Sequence, residues 1–364
     1  MMIGASTKTD VAANEWVVDD NVMRLRRWGT DDIHMLPLPP TNECTIGAAE
    51  TCTVQLDDPA GRISRLHAQL VRGQTRWLLR DLGSKNGVRL DGARRAEIVL
   101  EPGTEIGIGS LTLIAESRRS VALRGFLARV LGWRRDRTEV IDHALRSIRL
   151  AATRRVALVL CGRGDLVPMA RSIHRHALGA DRPFIVCDPR RRRGGATVRS
   201  AENYKTGMDA LAAATGGSLC VRSRRLPEDF SHVLEALHDP SSQVQLVVCA
   251  RAAEDGRPFF AVPITVPPLA SRPDEIDRII AEYAMDAIAE LGTLRTTFQE
   301  VDRQWVRAHA ASSLPAIEKA TLRLVAFRES RNVSNAAARL GMAPVSLSRW
   351  MERRERPTHG GPHK

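Results

Sequence analysis

Aromatic side chains are scarce: seven Phe, six Trp and two Tyr make up 4% of the 364 residues, so any core has to be mostly aliphatic. The six cysteines (Cys44, Cys52, Cys161, Cys187, Cys220, Cys249) include no Cys-x-x-Cys pair and no Cys/His spacing that suits a metal. Four sit inside apolar runs, where a free thiol packs as a small hydrophobe, so reduced structural cysteines in a cytoplasmic protein are expected. The N-terminus lacks an apolar signal core, and no stretch approaches the ~18 apolar residues that span a membrane. Acidic residues are outnumbered 42 to 54 by Lys and Arg, leaving a net charge of +12. An excess of that size suggests a polyanionic partner without naming one.

Three composition regimes follow one another between polar tails at 1–20 and 357–364. His359 and His363 in the second tail read as solvent-facing. From 21 to 117 short apolar or alternating runs recur: Ala68–Val71, Trp77–Leu79, Val88–Leu90, Ile98–Leu100, Ile106–Ile108 and Leu111–Ile114. Gly-Gln, Ser-Lys-Asn-Gly, Asp-Gly and Pro-Gly separate them, which is turn chemistry, so this region predicts an all-β sandwich. From 118 to 295 apolar strands at Val156–Cys161, Phe184–Cys187, Ser218–Val221, Gln243–Cys249 and Phe259–Ile264 alternate with amphipathic helices such as Val167–Leu178 and Pro227–Leu237. That rhythm predicts an α/β parallel sheet. Beyond Asp274 the chain reads as helical, at Glu275–Leu291, Leu314–Glu329, Ser334–Leu340 and Pro344–Arg354.

The last two helices have the spacing of a helix-turn-helix. Ser334 suits an N-cap, Ala337 is small enough for a close crossing, and Gly341 supplies a left-handed helix end. Pro344 suits the first turn of the second helix, where its missing N–H costs nothing. Leu340, Met342, Leu347 and Met351 supply the apolar seam. Ser346, Ser348, Arg349 and Arg353 are then left for a DNA groove and its phosphates, with Asn335 a further candidate. From Ser312 onward ten Lys/Arg face four Asp/Glu, which is half the net charge in a seventh of the chain. A three-helix bundle with a solvated basic face is the bland alternative.

Three resemblances follow from these residues. Ile317-Glu318-Lys319-Ala320-Thr321-Leu322-Arg323, Asn332-Val333-Ser334 and Ala336-Ala337…Leu340-Gly341 resemble the Fis-type helix-turn-helix, over 312–356, that ends sigma-54-dependent activators. The resemblance implies a homodimer or higher homo-oligomer on a palindromic double-stranded DNA site, with Leu314–Arg328 packing both domain and partner. Ser346 and Arg349 match the family's Thr and Arg, whereas Pro344 and Trp350 stand where it usually carries basic residues.

Ile46-Gly47, Ser64-Arg65-Leu66-His67-Ala68, Asp81-Leu82-Gly83-Ser84-Lys85-Asn86-Gly87 and Gly103…Glu105-Ile106-Gly107-Ile108-Gly109 resemble the forkhead-associated (FHA) domain. The resemblance implies capture of a phosphothreonine-containing protein. Ser64 and Arg65 would meet the phosphate, Asn86 the peptide main chain, and His67 would brace the loop. Arg62, Ser84 and Lys85 complete the candidate set. The family usually has Arg after the first Gly; here that position is Ala48, and Arg62 or Arg65 would substitute. A sandwich that serves only as a docking surface is the alternative.

The middle region resembles a AAA+ core of the same activators. The resemblance rests on Ala170–Arg175, Arg182–Val186, Gly216–Leu219 and Pro263–Leu269 followed by Arg272–Ile276. Yet the P-loop position reads Gly162-Arg163-Gly164-Asp165-Leu166-Val167-Pro168, short and without the Lys that phosphate chemistry needs. The acidic pair after Gly216-Gly217-Ser218-Leu219 is replaced by Arg222-Ser223. The sigma-contacting loop and the arginine-finger stretch are also missing, so ATP hydrolysis is not expected. The run Arg190–Arg193 reads as a solvated loop or, more sharply, as a DNA-backbone contact.

The sequence thus predicts a cytoplasmic, non-enzymatic transcription regulator without cofactor, with RNA polymerase or sigma-54 as a further partner. A working ATP-dependent sigma-54 activator is an alternative, as is a phospho-dependent scaffold with vestigial DNA binding.

Overall fold

The computed structural model describes residues 21–354, except 75, 155, 199, 240, 253–254, 256–258, 260–261, 295–296 and 331. The tails expected at 1–20 and 357–364, with His359 and His363, lie outside the described residues. The chain divides into two compact units.

The first unit is a two-sheet β-sandwich. Its strands are β1 (Val22–Arg27), β2 (Ile33–Met35), β3 (Glu43–Gly47), β4 (Val54–Gln55), β5 (Ala68–Arg72), β6 (Trp77–Asp81), β7 (Val88–Leu90), β8 (Ala93–Arg95), β9 (Glu97–Leu100), β10 (Glu105–Ile108) and β11 (Leu111–Ser117). One sheet runs β2-β1-β11-β10-β7-β8 and the other β4-β3-β5-β6-β9. Side chains alternate with period two, as Ile98 and Leu100 on β9 and Ile106 and Ile108 on β10 show by pointing inward. They meet Leu25, Ile46, Val54, Leu70, Leu79 and Leu113 in one aliphatic core.

The unit continues past the expected boundary at 117, taking in 118–128, 133–154 and 175–179. Helices α1 (Arg118–Leu131) and α2 (Thr138–Arg154) account for most of that extension, and no helix was expected there. Ile141, Ala144, Ile148 and Ala151 place an apolar stripe on α2 at helical spacing. The fully buried Arg26 of β1 donates to Glu116 of β11 (2.7 Å) and to Asp142 of α2 (2.5 Å). Burial works against its charge, but Asp142 and Glu116 outweigh that and raise the Arg26 pKa above its ordinary value.

The second unit contains a parallel sheet and a helical C-terminal part. β12 (Leu158–Cys161), β13 (Phe184–Cys187), β14 (Glu202–Tyr204), β15 (Ser218–Arg222), β16 (Gln245–Ala250) and β17 (Ile264–Thr265) lie in the order β14-β13-β15-β16-β12-β17. β12, β13 and β16 are buried along their whole length, as strands covered on both faces must be. Helices α3 (Val167–Ala177), α4 (Gly207–Ala213) and α5 (Phe230–His238) occupy crossovers. The strand expected at Phe259–Ile264 is instead Ile264–Thr265, and part of the expected span lies outside the described residues.

Helices α6 (Ile276–Leu291), α7 (Glu300–Ala310), α8 (Leu314–Glu329), α9 (Val333–Arg339) and α10 (Pro344–Glu352) complete the chain. Among the described residues, no helix is long and apolar enough to cross a membrane.

Candidate phosphopeptide and nucleic-acid sites

At one end of the sandwich, the 62–67 segment meets the 81–87 turn. His67 sits between them, fully buried. Its Nδ1 accepts the Ser64 backbone N–H (3.1 Å), and its Nε2 lies 2.9 Å from Ser84 Oγ and 3.3 Å from the Gly87 carbonyl. Ser84 is absorbed in the same bracing: its hydroxyl donates to Asp81 (2.5 Å) and accepts the Gly87 N–H (3.0 Å). The structure therefore turns Ser84 inward, although the sequence made it a ligand candidate. Gly83 and Gly87 take φ of +72° and +70°, a region that L side chains enter at a cost.

The remaining candidates converge outside this brace. Ser64, half-buried, accepts the Lys85 backbone N–H at 3.2 Å and keeps its own O–H as a donor. Asn86 donates to the Arg62 carbonyl at 2.7 Å, joining the two loops. Arg62, Arg65 and Lys85 are exposed. Asp58 anchors the approach by accepting from Ser110 and from the Ala60 and Arg62 amides, and these bonds, Ser110 foremost, hold its carboxyl below the usual range against desolvation. Gly47 must be glycine, because a Cβ there would stand 2.1 Å from the Arg65 carbonyl. The exposed Ala48 follows, its amide donating to the Ser64 carbonyl at 3.1 Å, so the missing arginine would have risen beside Ser64.

The helix-turn-helix segment forms two helices and a turn. Asn332 is the N-cap of α9, accepting the Asn335 amide at 2.8 Å. Ser334, expected as the cap, lies inside the first turn, because the asparagine two residues earlier already meets the free amide. Gly341 has φ +61°, and the Met342→Ala337 and Gly341→Ala338 bonds close the helix end. Leu340, Leu347 and Met351 are buried with Ala336, Ala337 and Phe327, and Met342 packs at their edge. Ser346, Arg349, Arg353 and Asn335 are exposed, while Ser348 donates to Glu352 at 2.9 Å.

Two features of this part were missed in the sequence. Helix α7 opens with a capping box from Gln299 and Asp302, and the buried Asp302 pairs with Arg328 of α8 at 2.9 Å. Its Trp305 donates to the Arg354 carbonyl at the end of α10 (3.1 Å) and packs on Trp350. Trp350 therefore packs against its own bundle, where Arg323 lies over its ring. Helix α8, expected to pack both its own domain and a partner, is buried by its own chain along most of its length, with Lys319 and Glu329 exposed.

In the parallel sheet, the chain leaves β12 for one side and returns to its other side at β17. The carboxyl end of β12 is therefore a switch point, where such sheets bind ligands. The Gly162-Arg163-Gly164 segment lies there, and Gly164 takes φ +91°. Asp165 accepts the Val167 amide at the start of α3 (3.3 Å), the place a phosphate would take. Arg222 joins this carboxylate at 2.8 Å and the fully buried Asp188 at 2.9 Å, with Arg191 and Arg225 also near Asp188. Burial opposes the Arg222 charge, but Asp165 and then Asp188 hold its pKa above the ordinary value. The chain's own ion pairs gather at the carboxyl ends of these strands. The sequence showed both mismatched residues but not that they meet across 57 positions.

Comparison with known proteins falls on the sandwich. The FHA domain family model matches residues 44–109. The chain is similar to the FhaA FHA domain solved with the intracellular domain of Rv3910, at 26% identity over 25% of this chain and 96% of that one, with a TM-score of 0.23. It is also similar to Mycobacterium tuberculosis EmbR in complex with a low-affinity phosphopeptide, at 26% identity and a TM-score of 0.23. That match covers 26% of this chain and 24% of EmbR, so the chain spans about a quarter of that relative. The FHA domain of CT664 from Chlamydia trachomatis is 24% identical over 25% of this chain and 92% of its own, with a TM-score of 0.23. No curated protein matches the chain. Residues 44–109 are an FHA domain.

Proposed function

We propose that this chain is a DNA-binding transcription regulator that takes its input from a phosphothreonine-containing protein. The observation that carries the output half is the sealed α9–α10 seam, which leaves Ser346, Arg349 and Arg353 outward on a helix begun by Pro344. A helix so supported can lie in a major groove with its polar face toward the bases. The input half is supported by the FHA loops, which bring Ser64, Arg62, Arg65, Lys85 and Asn86 to the same end of the sandwich.

The parallel-sheet core is read as a AAA+-like domain without ATPase chemistry. The Asp165–Arg222–Asp188 pairs support this, because they put a carboxylate where a nucleotide phosphate would have to enter. Arg222→Ala should therefore gain no ATPase activity. It should cost about 3 kcal/mol, the low end for a broken buried pair, since Arg191 and Arg225 still reach Asp188. ATP turnover by the parent protein above a no-enzyme blank would instead favour the ATP-dependent sigma-54 activator.

A phospho-dependent scaffold with vestigial DNA binding is the second reading. Burial of α8 favours it, since the helix expected to form a DNA-binding dimer is covered within its own chain. Selection of duplex DNA from a random library separates the two, because a scaffold enriches no sequence. If the chain does regulate promoters, RNA polymerase or sigma-54 is the partner class to test by co-purification.

A further inference from the structure

Between β13 and β14 lie four consecutive arginines, Arg190 to Arg193, and the segment from Pro189 to Ala201 contains no Asp or Glu. Their environments differ. Arg191 turns back toward Asp165 (3.4 Å) and Asp188 (3.6 Å) and is used within the fold. Arg190 and Arg192 are exposed, as is Arg193, whose guanidinium stacks over Tyr204 at 4.8 Å.

The backbone beneath them is tied down. Gly194 and Asn203 exchange two backbone bonds (3.2 and 2.9 Å), and the Asn203 side chain donates to the Arg192 carbonyl at 3.3 Å. Further along, Arg171 donates to the carbonyls of Thr197 and Val198. Thr197 rests against Gly341, the turn between α9 and α10, where an added Cβ would come within 3.2 Å of its own Cβ. A bonded segment that carries outward arginines therefore adjoins the turn that positions α10.

We infer that Arg190, Arg192 and Arg193 form a sequence-independent contact to the phosphate backbone of duplex DNA beside the reading helix. This rests on the DNA-binding reading above. Guanidinium groups suit the role, because their planar fork meets phosphate oxygens in pairs and remains charged at any working pH. Holding the segment in place before binding lowers the ordering cost of each contact.

The test is the salt dependence of binding to a fluorescein-labelled, mixed-sequence duplex, followed by anisotropy. Each phosphate neutralised contributes about 0.9 to the slope of log K against log salt. The triple variant Arg190→Gln, Arg192→Gln, Arg193→Gln should therefore bind with a slope shallower by about 2 to 3. The corresponding triple Lys variant should recover most of that slope, and both should melt with the parent protein. A parent-like slope in the Gln variant would overturn the inference while leaving α10 as the reader. A Lys variant as shallow as the Gln variant would also overturn it, since charge would not be the cause. Failure of the parent protein to bind the duplex at all would overturn both this contact and the DNA-binding reading.

Discussion

Ser64 and Ala48 lie side by side at the end of the sandwich, and they pull phosphopeptide affinity in opposite directions. Ser64 keeps a hydroxyl proton for a ligand after accepting the Lys85 amide. Ser64→Ala should abolish capture of a phosphothreonine peptide in a calorimetric titration, and unchanged affinity would remove it from the site. Ala48→Arg should strengthen the same titration by tenfold or more, since a hydrogen bond to a charged group contributes about 1.5–3 kcal/mol. His67 could be given its bracing role from the sequence through the family resemblance. The inward turn of Ser84 could not, because it depends on Asp81 and His67 competing for one hydroxyl. Asp58 adds a pH signature. Its carboxyl is held low mainly by Ser110, so the stability it contributes is full above its ordinary pKa of 3.8 and is lost as pH falls through the depressed folded value. Asp58→Asn should remove that acid-side loss from thermal melts taken below pH 4, and an identical acid profile would contradict the assignment.

Among the elements, those with a clean period were legible. β7 and β13 fall where alternation or an apolar run put them, and α8 spans the residues, Leu314–Glu329, where a helix was expected. Helices α1 and α2 were missed although α2 carries an apolar stripe at helical spacing, and their role depends on a partner far away in the chain. The missing information is Arg26, a charged residue in the middle of a strand that reads as surface until Asp142 covers it. Removing Asp142 leaves the buried Arg26 with Glu116 as its remaining partner, so Asp142→Ala should destabilise the first unit by about 3 kcal/mol, the low end for a broken buried pair. Chemical denaturation checks this, and a loss below about 1 kcal/mol would show that the pair is solvated. Helix α7 was also missed, although its Gln299…Asp302 capping box is written in the sequence. Its polar composition hid the single Trp305 face that meets Trp350.

At the scale of the whole molecule, charge and site placement point the same way. The +12 excess is concentrated toward the C-terminal helices, where α10 presents Arg349 and Arg353. Phosphate contacts alone would give binding without sequence preference, so the central claim rests on whether α10 reads bases. The direct measurement is sequencing of duplexes selected from a random library by the parent protein and by Arg349→Ala at physiological salt. The parent should enrich a defined motif. The variant should lose about 1–3 kcal/mol for it and relax preference at one or two positions. No enriched motif with the parent, or an equal loss across all sequences in the variant, would contradict α10 as the reading helix.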